Sequence, residues 1–104
     1  MPLAYHILIP PKASRNLVGI CSFIERQSPQ NAASVAQRLL DVIDSLASLP
    51  RRYEVHEHRR DPALTVYSMA VPPFIVYYRV DDTRQTVRIL AIRHGARRQP
   101  KRFR

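Results

Sequence analysis

Arginine and histidine side chains near the end of the chain are the residues best suited to chemistry on a phosphate. Arg93, His94, Arg97 and Arg98 are close in sequence, and Arg79 comes from the preceding predicted strand. A metal-independent ribonuclease needs a group that removes the 2′-OH proton, cations that hold the scissile phosphate and an acid for the leaving oxygen. Histidine titrates near neutral pH, and arginine forms paired hydrogen bonds with phosphate. If the chain is a ribonuclease, its candidate catalytic residues are therefore Arg97, His94 and Arg79.

The same side chains support a second interpretation, which is binding without catalysis. Arginines at the edge of a sheet also bind the acidic side chains of a protein partner, and an aromatic ring can stack on an unpaired base. The candidate binding residues are Arg59, Arg60, Tyr77, Arg79, Arg93, His94, Arg97 and Arg98. On the residues alone, binding or simple solvation of the sheet edge is favoured over catalysis.

Metal, cofactor and nucleophile chemistry have weaker support. His56 and His58 would share one face of a strand, and His94 could approach from the last strand, but Arg59 and Arg60 would oppose a dication there. The chain has only two glycines with which to build a phosphate-cradling loop. Local sequence suggests no Ser-His-Asp or Cys-His arrangement. We therefore expect no metal site and no cofactor.

Charge is concentrated in the second half of the chain. The formal net charge is +9, and residues 51–104 hold thirteen of the 17 cations against five anions. Such a field attracts polyanions, including nucleic acid and acidic protein segments. Cys21 is the single cysteine, so no internal disulfide demands an oxidising compartment. Without a recognisable signal peptide or membrane-spanning stretch, we expect a cytoplasmic protein.

The first half of the chain predicts one strand and two helices. A short apolar run, Tyr5 to Ile9, has strand length. Apolar residues then recur at helical spacing after Pro11, and Ser28-Pro29 is a strong start signal for a second helix that closes before Pro50. Two helices joined by so few residues should form an antiparallel hairpin.

The second half predicts a sheet. Residues 54–62 should be a loop with a short edge strand, followed by strands over Leu64 to Val71, Phe74 to Val80 and from Val87 onward. Pro72-Pro73 must be a turn, so the last three strands form an antiparallel meander. We predict an α+β fold in which the N-terminal strand and the helical hairpin pack on one face of a small, mainly antiparallel sheet. Residues 1–98 should form one domain, and residues 99–104 a basic, mobile tail.

The order of these elements and three motifs resemble the RelE/ParE superfamily of bacterial type II toxins. The motifs are SPQNAASVAQRLLDVIDSLASLP in the helical hairpin, VPPFIVYYRVDD around the proline turn and VRILAIRHGARR at the last strand. The resemblance covers nearly the whole chain. It implies a toxin encoded beside an antitoxin, whose acidic and apolar segment wraps and neutralises it.

The two branches of the superfamily differ in target. One branch is similar to ribosome-dependent mRNA interferases, which carry an arginine after a glycine near the end and an aromatic residue farther on. Arg97, two residues after Gly95, matches that arginine. Phe103 takes the place of the aromatic residue but has no hydroxyl group. The other branch is similar to inhibitors that poison DNA gyrase. Both branches often carry an arginine in the strand before the proline turn, where this chain has Tyr67 to Met69.

The helical hairpin and the last motif resemble the gyrase-directed branch somewhat more. The resemblance therefore implies a growth-inhibiting toxin whose partners are a cognate antitoxin and DNA gyrase. The alternative that it implies is a ribosome-dependent mRNA interferase, an endoribonuclease whose partners would be the ribosome and mRNA.

Overall fold

The computed structural model describes residues 4–95 and 103. These residues form two helices, α1 (Pro11–Gln27) and α2 (Pro29–Asp44). They also form five strands: β1 (His6–Leu8), β2 (Glu54–Glu57), β3 (Val66–Val71), β4 (Phe74–Asp81) and β5 (Thr86–His94). The predicted α+β class is confirmed.

The helices form where proline and apolar spacing predict them. Each begins with proline in its first turn, where the missing N–H has no helical acceptor to lose. Ser28 alone separates them, and its N–H closes α1 on the carbonyl of Ile24 at 2.6 Å. The apolar stripes, with Ala13 on α1 and with Leu39 and Ile43 on α2, are buried against the sheet. This packing leaves one face of each helix in solvent.

The sheet has the order β1-β5-β4-β3-β2. Strands β2 to β5 form the predicted antiparallel meander, whereas β1 pairs in parallel with β5, with Ile7 opposite Val87. The last strand is therefore flanked on both sides and lies near the centre of the sheet. Tyr5 fixes the N-terminal end of β1, because its hydroxyl donates to Asp82 at 2.5 Å and Arg51 pairs with the same carboxylate at 2.8 Å.

The main core lies between the helices and one face of the sheet. Alternate residues of β4 point into it, and Tyr78 is the largest of them that is completely buried. Its ring stacks on Tyr67 with centroids 5.5 Å apart, and its hydroxyl donates to the carbonyl of Pro50 at 2.6 Å. Burial raises the pKa of Tyr78 well above the usual value of a phenol, so the hydroxyl remains a donor.

Some predicted boundaries shift for local reasons. The third strand begins at Val66 and not at Leu64, because the Asp61 carboxylate accepts the N–H of Ala63 at 2.9 Å and caps a 3-10 turn over Pro62–Leu64. The short edge strand that was predicted within residues 54–62 is β2. The predicted domain end at residue 98 and the tail predicted for residues 99–104 fall outside the described residues, except for Phe103. Within residues 4–95 and 103, no helix has the length and apolarity needed to cross a membrane.

Candidate functional site

The face of the sheet opposite the helices, here called the open face, has its own small apolar cluster. Tyr77 lies at its centre, 1% exposed, with Val66 and Ala91 buried beside it. Phe103 covers the ring of Tyr77 at a centroid distance of 4.9 Å, and His56 packs edge-on against it at 4.8 Å. The cluster is thus built from strands β2 to β5 and from a residue next to the chain end.

A bulge in β5 explains why the open face is so apolar. Tyr77 pairs with Ala91 but Tyr78 pairs with Ile89, so Leu90 is an extra residue in the ladder. Both Leu90 and Ala91 then contribute to the open face, while Ile89 stays in the main core. If side chains alternated strictly along β5, one of these two residues would point towards the helices.

Phe103 is held by charged groups as well as by ring contacts. Its N–H donates to the Glu57 carboxylate at 3.0 Å, and its carbonyl accepts from Arg79 at 3.2 Å. Arg59 pairs with Glu57 at 2.8 Å. The Phe103 N–H and then the Arg59 guanidinium hold the pKa of Glu57 below its usual value. Glu57 is therefore the anion that joins the end of the chain to the edge of the open face.

A basic groove crosses the open face beside this cluster. It has a volume of about 800 Å³, within the range of pockets that bind ligands. Five of its lining residues are cations, namely Lys12, Arg79, Arg84, Arg88 and Arg93, and Asp81 is its anion among the described residues. Apolar residues such as Leu8, Leu64 and Leu90 line the rest of it. The groove suits a partner that is both acidic and apolar.

Two arginine arrangements in this groove are unfavourable for the stability of the folded chain. Arg79 lies directly opposite Arg88 on the neighbouring strand, and like charges in such positions are destabilising. Arg93 is half-buried, and its buried Nε has no hydrogen-bond partner in the described part of the chain. A buried donor without an acceptor is unfavourable, so an anion from a partner would stabilise Arg93.

The structure separates the candidate catalytic residues that it describes. Arg79 lies on the open face and donates to the backbone carbonyls of Leu64 and Phe103, at 3.1 and 3.2 Å. Burial, and then the charge of Arg59, lowers its pKa. His94 packs on Phe74, which belongs to the main core on the helix side of the sheet. Arg97 lies outside the described residues.

The other predicted site residues fall into three places. Tyr77 and Arg93 lie on the open face, and Arg59 lies at its edge. Arg60 is exposed and lines neither this groove nor the second one described below. Arg98, like Arg97, lies outside the described residues. Among residues 4–95 and 103, no three metal-ligating side chains are grouped together, and His58 follows the end of β2.

Comparison with known proteins identifies the family. Residues 7–99 match the family described as ParE toxin of type II toxin-antitoxin system, parDE. The match spans almost the whole chain. The chain belongs to the ParE toxin family. The predicted membership of the RelE/ParE superfamily of type II toxins is thereby confirmed.

Solved structures share the fold of this ParE family member. The chromosomal ParDE system of P. aeruginosa is similar over 89% of this chain and 98% of that one, with 18% identity and a TM-score of 0.70. A RelBE complex from Mycobacterium tuberculosis is similar over 93% of this chain and 98% of that one, with 25% identity and a TM-score of 0.59. The archaeal RelE-RelB complex of Pyrococcus horikoshii is similar over 91% of this chain and 99% of that one, with 20% identity and a TM-score of 0.63. No curated protein matches in sequence.

Sequence reasoning missed three cations of the basic groove in this ParE family member. Arg88 was detectable, because it precedes the apolar run of β5 and alternates with Val87 and Ile89. Lys12 and Arg84 come from the start of α1 and from the turn before β5, and only the fold brings them to the same groove. No local sequence pattern indicates that these two residues line the same groove.

Proposed function

We propose that this ParE family toxin inhibits growth by poisoning DNA gyrase and that a cognate antitoxin neutralises it. The observation that carries the proposal is the match of residues 7–99 to the ParE toxins, since the ParE-like branch of the superfamily is the gyrase-directed one. The toxin would then act by binding, with the basic groove and the helical hairpin as its contact surfaces, inside the cytoplasm where gyrase works.

The geometry of the candidate catalytic residues supports binding over cleavage. General acid-base catalysis on a phosphate needs the base and the cations around one reacting group. Here Arg79 and His94 lie on opposite faces of the sheet, and two backbone carbonyls already engage Arg79. The strand before the proline turn, which often carries an arginine in the superfamily, has Tyr67 to Met69 in this chain, and Ser68 pairs there with Tyr77. These residues suit recognition of an acidic partner.

The open face supports an antitoxin as the second partner. The similar structures named above are a ParDE TA system, a RelBE toxin-antitoxin complex and a RelE-RelB complex. On this chain, an apolar cluster around Tyr77 adjoins a groove with five cations. An antitoxin segment with apolar side chains flanked by Asp and Glu would bury the cluster and pair with the cations. Its binding should therefore weaken as salt is raised.

The deciding experiment uses purified toxin freed of antitoxin. We expect it to inhibit supercoiling by DNA gyrase or to accumulate cleaved DNA, and adding antitoxin should restore supercoiling. Translation should be measured in parallel after induced expression in cells, where it should continue at the onset of growth arrest. If gyrase remains fully active at a stoichiometric excess of toxin, the gyrase assignment is wrong.

The second candidate function is a ribosome-dependent mRNA interferase. It is favoured by the similarity to the two RelE-type structures and by Arg88 and Arg93 on the open face, which could hold a phosphate. It requires cuts in translated messages at codon-defined positions. Arg97→Ala should abolish these cuts while leaving antitoxin binding measurable. Undiminished protein synthesis during growth arrest would exclude this function.

A further inference from the structure

A second groove lies on the opposite side of the molecule from the centre of the open face, between α1 and the end of β5. Its volume is about 600 Å³. Ile20, Phe23, Phe74 and Ile92 give it an apolar lining, and the Phe23 side chain is 51% exposed. A methyl group at Gly19 would meet no atom within 4 Å. The groove, here called the α1 groove, is therefore open to a side chain from outside.

The rim of the α1 groove is basic. Arg15, Arg26, Arg93 and His94 line it, and none of its lining residues is acidic. Arg15 and Arg26 form no ion pair with the described residues. Apolar side chains with basic groups and no acidic group around them fit a segment that carries a bulky apolar residue beside a carboxylate.

Arg93 connects the α1 groove to the basic groove of the open face, because it lines both. Its Nε is the buried donor that lacks an acceptor in the described chain. One extended segment could therefore cover the open face, pass the end of β5 at Arg93 and enter the α1 groove. A carboxylate at the crossing point would satisfy the Arg93 guanidinium.

We infer that the α1 groove is a docking site for the antitoxin, which inserts a bulky apolar side chain over Gly19 and places a neighbouring carboxylate on the arginine rim. The inference rests on the proposed antitoxin and adds a second contact to the one on the open face. It also gives Gly19 a role, since a bulky side chain at this position would fill the space that the partner needs.

The experiment compares Gly19→Leu with Gly19→Ala in complexes with the full-length cognate antitoxin that the proposed function requires. Both changes replace a poor helix former by a better one, so both should raise the Tm of the free toxin. Only the leucine fills the groove. Gly19→Leu should weaken antitoxin binding at least about tenfold, as loss of one well-packed contact does, while Gly19→Ala should bind as the unaltered chain does.

Ser14→Leu is the matched control, since Ser14 is exposed on α1 and lines neither groove. It should leave the affinity unchanged. A second variant, Arg26→Gln, should weaken binding and reduce its dependence on salt. Equal affinities for Gly19→Leu and Gly19→Ala would overturn the inference. So would a Gly19→Leu toxin that binds antitoxin normally but no longer inhibits gyrase, because the groove would then belong to the target. Absence of any complex with the unaltered toxin would instead refute the antitoxin itself.

Discussion

Replacing Arg93 by methionine should stabilise the free toxin and weaken its complex. The buried Nε of Arg93 has no acceptor in the described chain, and an unsatisfied buried donor costs about 1–3 kcal/mol. Because the side chain is only half-buried, we take the lower end, about 1 kcal/mol. Methionine keeps the apolar stem and removes the donor. For a domain of this size, 1 kcal/mol raises Tm by about 4 °C or slightly more.

The complex should respond in the opposite direction. A hydrogen bond to a charged group contributes about 1.5–3 kcal/mol, so losing one from Arg93 to an antitoxin carboxylate should weaken binding roughly 10- to 100-fold. Thermal unfolding of the free toxin and calorimetric titration with antitoxin measure the two effects separately. The salt dependence of binding should also become shallower.

Arg88→Met is the matched control for Arg93→Met. Arg88 lies on the same strand and in the same open-face groove, but it is exposed. Its replacement removes an exposed charge that faces Arg79, so it should raise stability only slightly, by less than about 0.5 kcal/mol. The reasoning fails if Arg93→Met lowers Tm, or if its affinity for antitoxin stays within the error of the unaltered chain.

Three further predictions concern stability. Tyr78→Phe should lower the free energy of unfolding in urea by about 1–3 kcal/mol, because the buried carbonyl of Pro50 loses its donor. Phe103→Ala should lower it by about 2 kcal/mol, the value of burying one large apolar side chain, and should expose Tyr77. Glu57 has a lowered pKa in the folded chain, so its contribution to stability is present above its unfolded pKa and is lost as pH falls through the folded value. Glu57→Gln should therefore flatten the decline of Tm in acid.

Each of these predictions has an outcome that contradicts it. A Tyr78→Phe chain as stable as the original would mean that Pro50 finds another donor. If Phe103→Ala unfolds at the same urea concentration, the contacts of Phe103 with the open face contribute nothing measurable. An acid profile of Glu57→Gln that parallels the original would show that other carboxylates account for the loss of stability.

Periodicity was sufficient to predict most of the fold, because each element buries a face that its own sequence defines. The helix stripe around Ile20 and the strand Phe74–Asp81 are examples. The pairing of β1 with β5 was not predictable in this way. Ile7 and Val87 are joined by a ladder that no local pattern encodes. The start of β3 was misplaced because Asp61 caps a turn through its side chain, a contact that depends on local geometry.

The open face was less predictable than the fold. Tyr77 and Arg93 were named as candidate binding residues, and both lie on this face. Arg79 was taken as a cation available to a partner, yet it donates to carbonyls 15 and 24 residues away in sequence. Such bonds depend on the positions that Leu64 and Phe103 take in the folded chain. Sequence alone gives the charge of a side chain but not the acceptors that engage it.

The position of β5 has a consequence for the time at which the toxin becomes active during synthesis. The ribosome makes β5 after every other strand, yet it lies between β1 and β4 in the finished sheet. At about 5–20 residues per second, a chain of this length takes roughly 5–20 s to make. For most of that time β1 has no neighbour and the open face has no Arg93. The sheet, and with it the groove that Arg93 lines, is therefore completed only after β5 has been made, which gives an antitoxin already present time to meet the chain.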